Sequence, residues 1–339
     1  MSASTLGIVI AGNMVTDHVK QINSYPLPQM LSTITSVSRA VGGCVPNTAI
    51  NLAKIDSTIP ITAVGRVGGD EDGRYITGEL EKNGIDVSRV ITSGTSSTSF
   101  SDVMNVTGTG ERTFFHYRGA NAELCFDDIP VSELDCRMLH IGYILLLDAL
   151  DRDNALYGTE MARLLHAAQE AGIRTSIDVV SDAEGRFDKV IPALKYTDNA
   201  VMNEIEGCGA AGLSPRDADG QLILKNLRLS MERLLSYGVR EHVIFHCPEA
   251  GFILNKNGEF TAVPSLLLPD GFIKGSVGAG DAFCAGCLYG IYRGFSDRRI
   301  LEFASGAASC NLSEADSVSG MKPADEIEKM IKTAKRRVL

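Results

Sequence analysis

GSVGAGDAFCAGCLYGI, residues 275–291, joins a turn built of the smallest side chains to a run of small and apolar ones. With no bulk at Gly278, Ala279 and Gly280, the backbone can turn tightly and point successive N–H groups outward at a helix N-terminus, which makes a site for anions. Asp281 then falls in the first turn of the helix, where a carboxylate suits the dipole. Taken alone, a Gly-Ala-Gly-Asp run needs no more than that capping role. Its place about four-fifths of the way along the chain, ahead of a long helix of small residues, favours a ligand.

Upstream, the apolar run from Leu6 to Ala11 reads as a buried strand, and so do the runs at Ile61–Val67, Met138–Ile141, Arg174–Asp178, Ala200–Met202 and His242–Phe245. They alternate with helix-like stretches at Pro46–Ile55, Asp72–Lys82, Asp151–Ala171, Leu222–Tyr237 and Ala282–Tyr292. Alternation of this kind predicts an α/β fold: a doubly wound, mostly parallel sheet flanked by helices. Two segments, approximately 15–40 and 95–118, break the rhythm with Thr, Ser, Val and aromatic residues, and the second carries a hairpin-like turn at Thr107-Gly108-Thr109-Gly110. They predict a small β-sheet lid made by two excursions from one domain spanning residues 1–339. The basic stretch Lys332–Arg337 reads as the solvated last turn of a surface helix.

Of the 339 residues 44% are hydrophobic and 22% charged, which is the composition of a soluble globular protein. The net charge of −10 argues against nucleic acid or an anionic membrane as the main partner. Eight cysteines scattered through apolar segments fit a reducing compartment. The opening MSASTLGIVIAG lacks a basic leader and is too short in its apolar part to span a bilayer, so a cytoplasmic location is expected.

Several segments together resemble the PfkB/ribokinase-like family of carbohydrate kinases. Residues 275–291 are similar to its C-terminal signature, VGGCVPNTAINLAKI at 41–55 to its N-terminal glycine-pair motif, VGRVGGDEDG at 64–73 to the strand and turn that follow, VMNEIEG at 201–207 to its Asn-x-x-Glu motif and RGANAEL at 118–124 to its lid-return segment. The resemblance runs from residue 6 to about 320. It implies transfer of a phosphoryl group from ATP, with Mg2+, to a hydroxyl of a sugar or sugar acid. Asp281 would be the general base, and the amides of Gly278, Ala279 and Gly280 would bind the phosphate. Asp17, Gly42, Gly43, Asn47 and Asn121 would face the sugar. Asn203 and Glu206 would organise phosphates and magnesium, Glu206 through water.

The residue chemistry fits those roles. Phosphoryl transfer to an alcohol needs a base in reach of the hydroxyl, donors for charge on the phosphoryl oxygens and magnesium on the phosphates. Arg118 can meet a carboxylate or phosphate of the substrate by a bidentate pair. With Tyr117 beside it, a keto-deoxy sugar acid is a candidate substrate. HCPEAG, residues 246–251, stands where the family has a nucleotide loop, so His246 and Gly251 are nucleotide candidates, with Gly278 and Gly280 on the phosphates. Only the last glycine of that loop's pattern is kept, and Gly275 replaces an aspartate that the family signature usually carries.

Three motif matches fail their context. Gly207–Gly212 fits G-x-G-x-x-G but leads into no helix, Cys284 and Cys287 have no second pair, and His242 and His246 are roughly 13 Å apart along a strand. Two other readings stay open: a nucleoside kinase using Phe114, Phe115 and Tyr117 on a base, and a non-catalytic sugar-binding regulatory protein. The open edges of a small sheet offer a route to a homodimer through the lid.

Overall fold

The computed structural model describes residues 6–109, 111–181 and 185–339. The first apolar run forms β1 (Gly7–Gly12), buried throughout. The chain leaves for a small sheet with β2 (Val15–Ile22) and β3 (Ile34–Gly42), then returns through helix Cys44–Ile55, β4 (Ile61–Gly68), helix Glu71–Lys82 and β5 (Asp86–Ser93). A second excursion makes β6 (Ser99–Val106) and β7 (Arg112–Tyr117). β8 (Cys136–Ile144) precedes the short pair β9 (Asp153–Asn154) and β10 (Gly158–Thr159), helix Glu160–Glu170, β11 (Arg174–Val179) and β12 (Asn199–Asn203). Helices Glu204–Ala210 and Leu224–Ser236 lead to β13 (His242–His246), β14 (Ala250–Asn255) and β15 (Phe260–Pro264), and helices Ala279–Arg293, Asp297–Asn311 and Ala324–Thr333 follow.

The large sheet has the order β15-β14-β13-β12-β11-β8-β1-β4-β5. β5 through β13 pair in parallel, and β14 and β15 add an antiparallel edge. From β1 the chain winds outward to β5, then crosses to β8 and winds the other way. The carboxyl ends of β1 and β8 therefore sit at a topological switch point, where a ligand crevice forms. The lid is a four-stranded sheet in the order β3-β2-β6-β7; one strand from each excursion, β2 and β6, makes the parallel inner pair, and β3 and β7 are edges.

Helix Ala279–Arg293 is buried on all sides from Asp281 to Tyr292. Its small residues permit this: a Cβ at Gly286 would lie 2.6 Å from the Ala304 Cα of the neighbouring helix. Gly207 and Gly209 likewise make room for rings, a Cβ at 207 falling 2.1 Å from Phe245 Cζ, so this glycine run serves packing.

Two expectations are corrected. The helix expected over Asp151–Ala171 begins only at Glu160, because Thr159 caps it through Ala162 N–H at 3.1 Å and the β9–β10 pair takes the residues before it. The basic terminus is not a helical turn. The last helix ends at Thr333, and residues 335–337 run extended beside 265–267, with Leu267 N–H donating to Lys335 O and Arg337 N–H to Ser265 O. The expected turn at 107–110 joins β6 to β7, but Gly110 lies outside the described residues, as do Met1–Thr5 of the expected leaderless N-terminus. Among the described residues no helix is long and apolar enough to cross a membrane.

Candidate active site

Gly278 caps the buried helix with φ +73°, and a Cβ there would lie 2.4 Å from the Ser317 Cβ, so the turn tolerates only glycine. Among the described residues no protein acceptor takes the N–H groups of Gly280 and Asp281, and these first-turn donors remain available to an anion. Asp281 follows and is 5% exposed. Its Oδ2 accepts from Asn47 Nδ2 at 2.9 Å and from the Tyr143 hydroxyl at 3.1 Å. Burial, helped by the Asp178 carboxylate, pushes Asp281 up to about 8, while the two hydrogen bonds pull it back.

Asn47 sits near the start of helix Cys44–Ile55, and Ser317 Oγ donates to its Oδ1 at 2.7 Å, which turns the amide nitrogen toward Asp281. Gly43, before that helix, adopts φ +82°, where a Cβ would lie 2.6 Å from Asn13 O. Tyr143 stands at the end of β8 with φ +61°, rare outside glycine, and its N–H donates to Asp178 Oδ1 at 2.6 Å. That bond holds the strained backbone from which the phenol reaches Asp281.

A cavity of about 940 Å³ opens between lid and body, lined by Asp17, Ser101, Arg112, Phe114 and His116 from the lid and by Gly43, Asn47, Tyr143, Gly278 and Asp281 from the body. Burial raises Asp17 to about 6 against the opposing pull of Ser101, His18 and Arg112. Gly42 faces this carboxylate, and a Cβ there would lie 2.6 Å from Asp17 Oδ2. Among the described residues no ion pair or side-chain hydrogen bond engages the Arg112 guanidinium.

On the other side of Asp281 a cavity of about 230 Å³ is lined by Asp178, Ser181, Asn203, Glu206, His246, Gly278 and Gly280. Asn203 and Glu206 form a capping box for helix Glu204–Ala210. Glu206 accepts from Asn203 N–H at 2.9 Å, Asn203 Nδ2 at 2.7 Å and Ser181 Oγ at 2.9 Å, and burial raises it to about 8. The Asp178 carboxylate adds to the rise of both Glu206 and Asp281, and Glu206 adds to that of Asp281, around one small space. Carboxylates gathered this closely fit a hard divalent cation, and with three protein donors already on Glu206 the fit is through water. A third cavity, about 430 Å³, continues past Ala279 and Gly280 to His246, Cys247, Pro248, Ser305 and Arg337. His246 packs against Phe283 with ring centroids 4.9 Å apart and the rings tilted by 37°, and burial lowers its imidazole to about 4.

Three expected site residues lie elsewhere. Arg118 donates to Leu145 O at 3.0 Å and pairs with Asp148 at 2.9 Å, so it ties the lid root to the loop after β8. Asn121 clamps the backbone of Met14, accepting from its N–H at 3.0 Å and donating to its carbonyl at 3.1 Å. Gly251 lies in β14 opposite His246, where its missing Cβ makes room for Phe283 and Leu301; residues 247–249 are a tight hairpin turn. Gly275 packs so closely on Ala315, 2.9 Å from its Cα to a Cβ at 275, that a side chain there would not fit. Tyr143, Asp178, Ser317, Arg112 and Arg337 were missed by the sequence reading; only Arg112, on a strand facing inward every second residue, carried a signal that could have found it.

A lid over a switch-point crevice, an amide-lined turn and a buried carboxylate at the head of a helix define a ribokinase-like α/β phosphotransferase. The chain belongs to the pfkB family carbohydrate kinases, whose family model matches residues 6–324. It is accordingly a kinase acting on an alcohol group of a carbohydrate. It is 23% identical to a 5-dehydro-2-deoxygluconokinase of Geobacillus thermodenitrificans, with 97% of this chain and 94% of that protein covered. Its fold superimposes on a ribokinase of Arabidopsis thaliana complexed with ribose and ATP, at TM-score 0.79 and 19% identity over 97% of this chain and 99% of that one. A putative ribokinase II of E. coli in complex with ATP and Mg2+ matches at TM-score 0.76 and 18% identity, over 96% and 99% of the two chains.

Proposed function

We propose that the protein transfers the γ-phosphoryl group of ATP to a hydroxyl, a primary one, of a sugar acid. The observation that carries this reading is the position of Asp281, which lines both the 940 Å³ cavity under the lid and the 230 Å³ cavity beside the glycine turn. A hydroxyl in the first cavity and a phosphoryl group in the second would meet at this carboxylate. Asp281 accepts the hydroxyl proton, and a base that ionises near neutrality is matched to that task. Asn47 and Tyr143 hold it in place. The free amides of Gly280 and Asp281 stabilise charge on the phosphoryl oxygens, each worth ~2.7–4 kcal/mol by analogy with oxyanion-hole donors. Magnesium, held through water by Glu206, would neutralise charge on the phosphates. The base and ribose of ATP would lie in the third cavity against Cys247, Pro248, Ser305 and Arg337.

A sugar acid is favoured over a neutral sugar because the lid cavity holds the Arg112 guanidinium, and because the relative described above is named a kinase of such an acid. Arg112, and not Arg118, then takes the carboxylate. The nucleoside reading is weaker: Phe114 lines the cavity, whereas Phe115 and Tyr117 do not. The test is ADP release with ATP and Mg2+ over a panel of pentoses, hexoses, keto-deoxy sugar acids, inositol and nucleosides, beside the Asp281→Asn variant. Turnover confined to sugar acids and lost in the variant is expected; turnover on nucleosides alone would overturn the substrate assignment.

A further inference from the structure

Beneath the small cavity, side chains from three elements aim one donor atom each at a common point. His140 comes from β8, Asp178 from β11 and Cys284 from the helix that carries Asp281, and the ligand atoms all lie within 4.8 Å of one another. The imidazole Nε2 is 3.7 Å from Cys284 Sγ and 3.8 Å from Asp178 Oδ2. All three residues are buried. Phosphoryl transfer as derived above uses neither His140 nor Cys284.

The imidazole is already turned for ligation. Its Nδ1 lies 3.1 Å from Ser176 Oγ, and with the proton assigned to Nδ1 the hydroxyl accepts it and Nε2 presents its lone pair to the sulfur and the carboxylate. In that tautomer Nε2 is free to accept from the Cys284 thiol, and a cation that displaced the thiol proton would be shared by Nε2, the sulfur and Asp178 Oδ2. Bonds of about 2.0 to 2.3 Å from zinc to nitrogen, oxygen and sulfur place tetrahedral ligand atoms roughly 3.3–3.6 Å apart. The two separations from Nε2 exceed this by about half an ångström or less, and the Asp178–Cys284 pair, within 4.8 Å, closes further as the ion is bound. Sulfur and imidazole donors disfavour magnesium, which distinguishes this cluster from the carboxylates around Glu206 although the two share Asp178. Asp178 and Cys284 both line the 230 Å³ cavity, which supplies an entry path and an open fourth position.

We propose that His140, Asp178 and Cys284 form a site for a thiophilic divalent transition metal, zinc fitting the donor set best, with its fourth position open to the phosphate cavity. Binding displaces the thiol proton of Cys284 to solvent and leaves thiolate, neutral imidazole and carboxylate on the ion. The ion sits one helical turn from Asp281, so occupancy alters the kinase as well as binding to it.

The test is titration of the metal-stripped full chain with Co2+, followed by thiolate-to-cobalt charge-transfer absorption in the near ultraviolet and by the visible bands of a tetrahedral site. One equivalent is expected to bind, and Zn2+ to bleach the spectrum. Cys284→Ser should remove the charge-transfer band, and Cys287→Ser, on the same helix, should keep it. Ser176→Ala should weaken binding roughly 10-fold or more. No saturable cobalt spectrum in the wild-type chain at millimolar Co2+, a result that needs no variant to fold, would overturn the site; so would a band that survives Cys284→Ser.

Discussion

The Tyr143 hydroxyl donates to Asp281 Oδ2 across 3.1 Å, from a backbone held at φ +61°. A donor to the carboxylate favours its charged form, so Tyr143 works against the burial that raises Asp281 to about 8. Tyr143→Phe removes the donor and keeps the ring. The rising limb of the kcat/KM profile should move to higher pH, with activity at neutral pH falling about 10-fold and recovering in alkaline buffer. A uniform loss at every pH would show a merely structural role.

Asp281→Asn should lower kcat by at least ~10² to 10⁴ with nucleotide binding kept. It should also change how stability responds to pH. Between the ordinary value of 3.8 and about 8, the native state holds a proton on Asp281 that the unfolded chain has lost, so wild-type stability falls as pH rises through this window. The asparagine variant lacks that component, and its advantage in Tm should be largest above pH 8. Glu206, raised to about 8, carries the same sign and keeps some slope in both proteins. Melting curves at a series of pH values check this.

Arg112→Gln should raise KM for a sugar acid by about 10-fold or more, since a charge-assisted bond contributes ~1.5–3 kcal/mol, and should leave a neutral polyol substrate little affected. Arg118→Gln, remote from the cavity, should leave the ratio of the two KM values unchanged. Steady-state kinetics on matched acid and alcohol pairs decide between them.

Arg216 binds Glu204 at 2.7 Å and Glu249 at 2.9 Å, tying the turn after β13 to the helix that Asn203 caps. Glu204 is buried, and Arg216→Ala would leave its charge uncompensated; the expected loss is toward the lower end of ~3–5 kcal/mol. The arginine holds Glu249 down at about 2. That contribution is present above the usual glutamate range and disappears as pH falls toward 2, so the variant should differ least from wild type in strong acid. Urea denaturation at two pH values measures both.

Arg337→Ala should raise KM for ATP and leave KM for the sugar unchanged, because the tail that pairs with residues 265–267 places this exposed residue on the lining of the third cavity. Equal changes in both constants would count against placing the nucleotide there.

Six strands of the large sheet, the lid and the turn at Gly278 were legible because local chemistry dictates them: apolar runs between helical periods, β-branched excursions, and glycines where a side chain would collide; β5, β14 and β15 were not read. Asn47 and Asp281, named from the family pattern, do meet in the structure. Tyr143 was hidden because HIGYI reads as ordinary strand, and nothing local foretells a positive φ at its end. Arg118 and Asn121 were misplaced because spacing places them near the lid root but says nothing of which way a side chain turns. Residues 247–249 fall where the family has a nucleotide loop, and the strand β14, which turns them into a hairpin, was not read from the sequence. Arg337 escaped because a basic terminus is ordinarily solvated; it stays exposed, and only the pairing with residues 265–267 brings it to the lining of the third cavity.

The Asn47–Asp281 hydrogen bond joins residues 234 positions apart. Tyr143, between them in sequence, meets the same oxygen, and Ser317 beyond them orients the amide. No contiguous fragment shorter than most of the chain holds these four partners together. If Asp281 is the base proposed above, turnover serves as a reporter of completed folding: a nascent or partly unfolded chain has no weakened version of this constellation, and activity should vanish in step with the last long-range contacts to break.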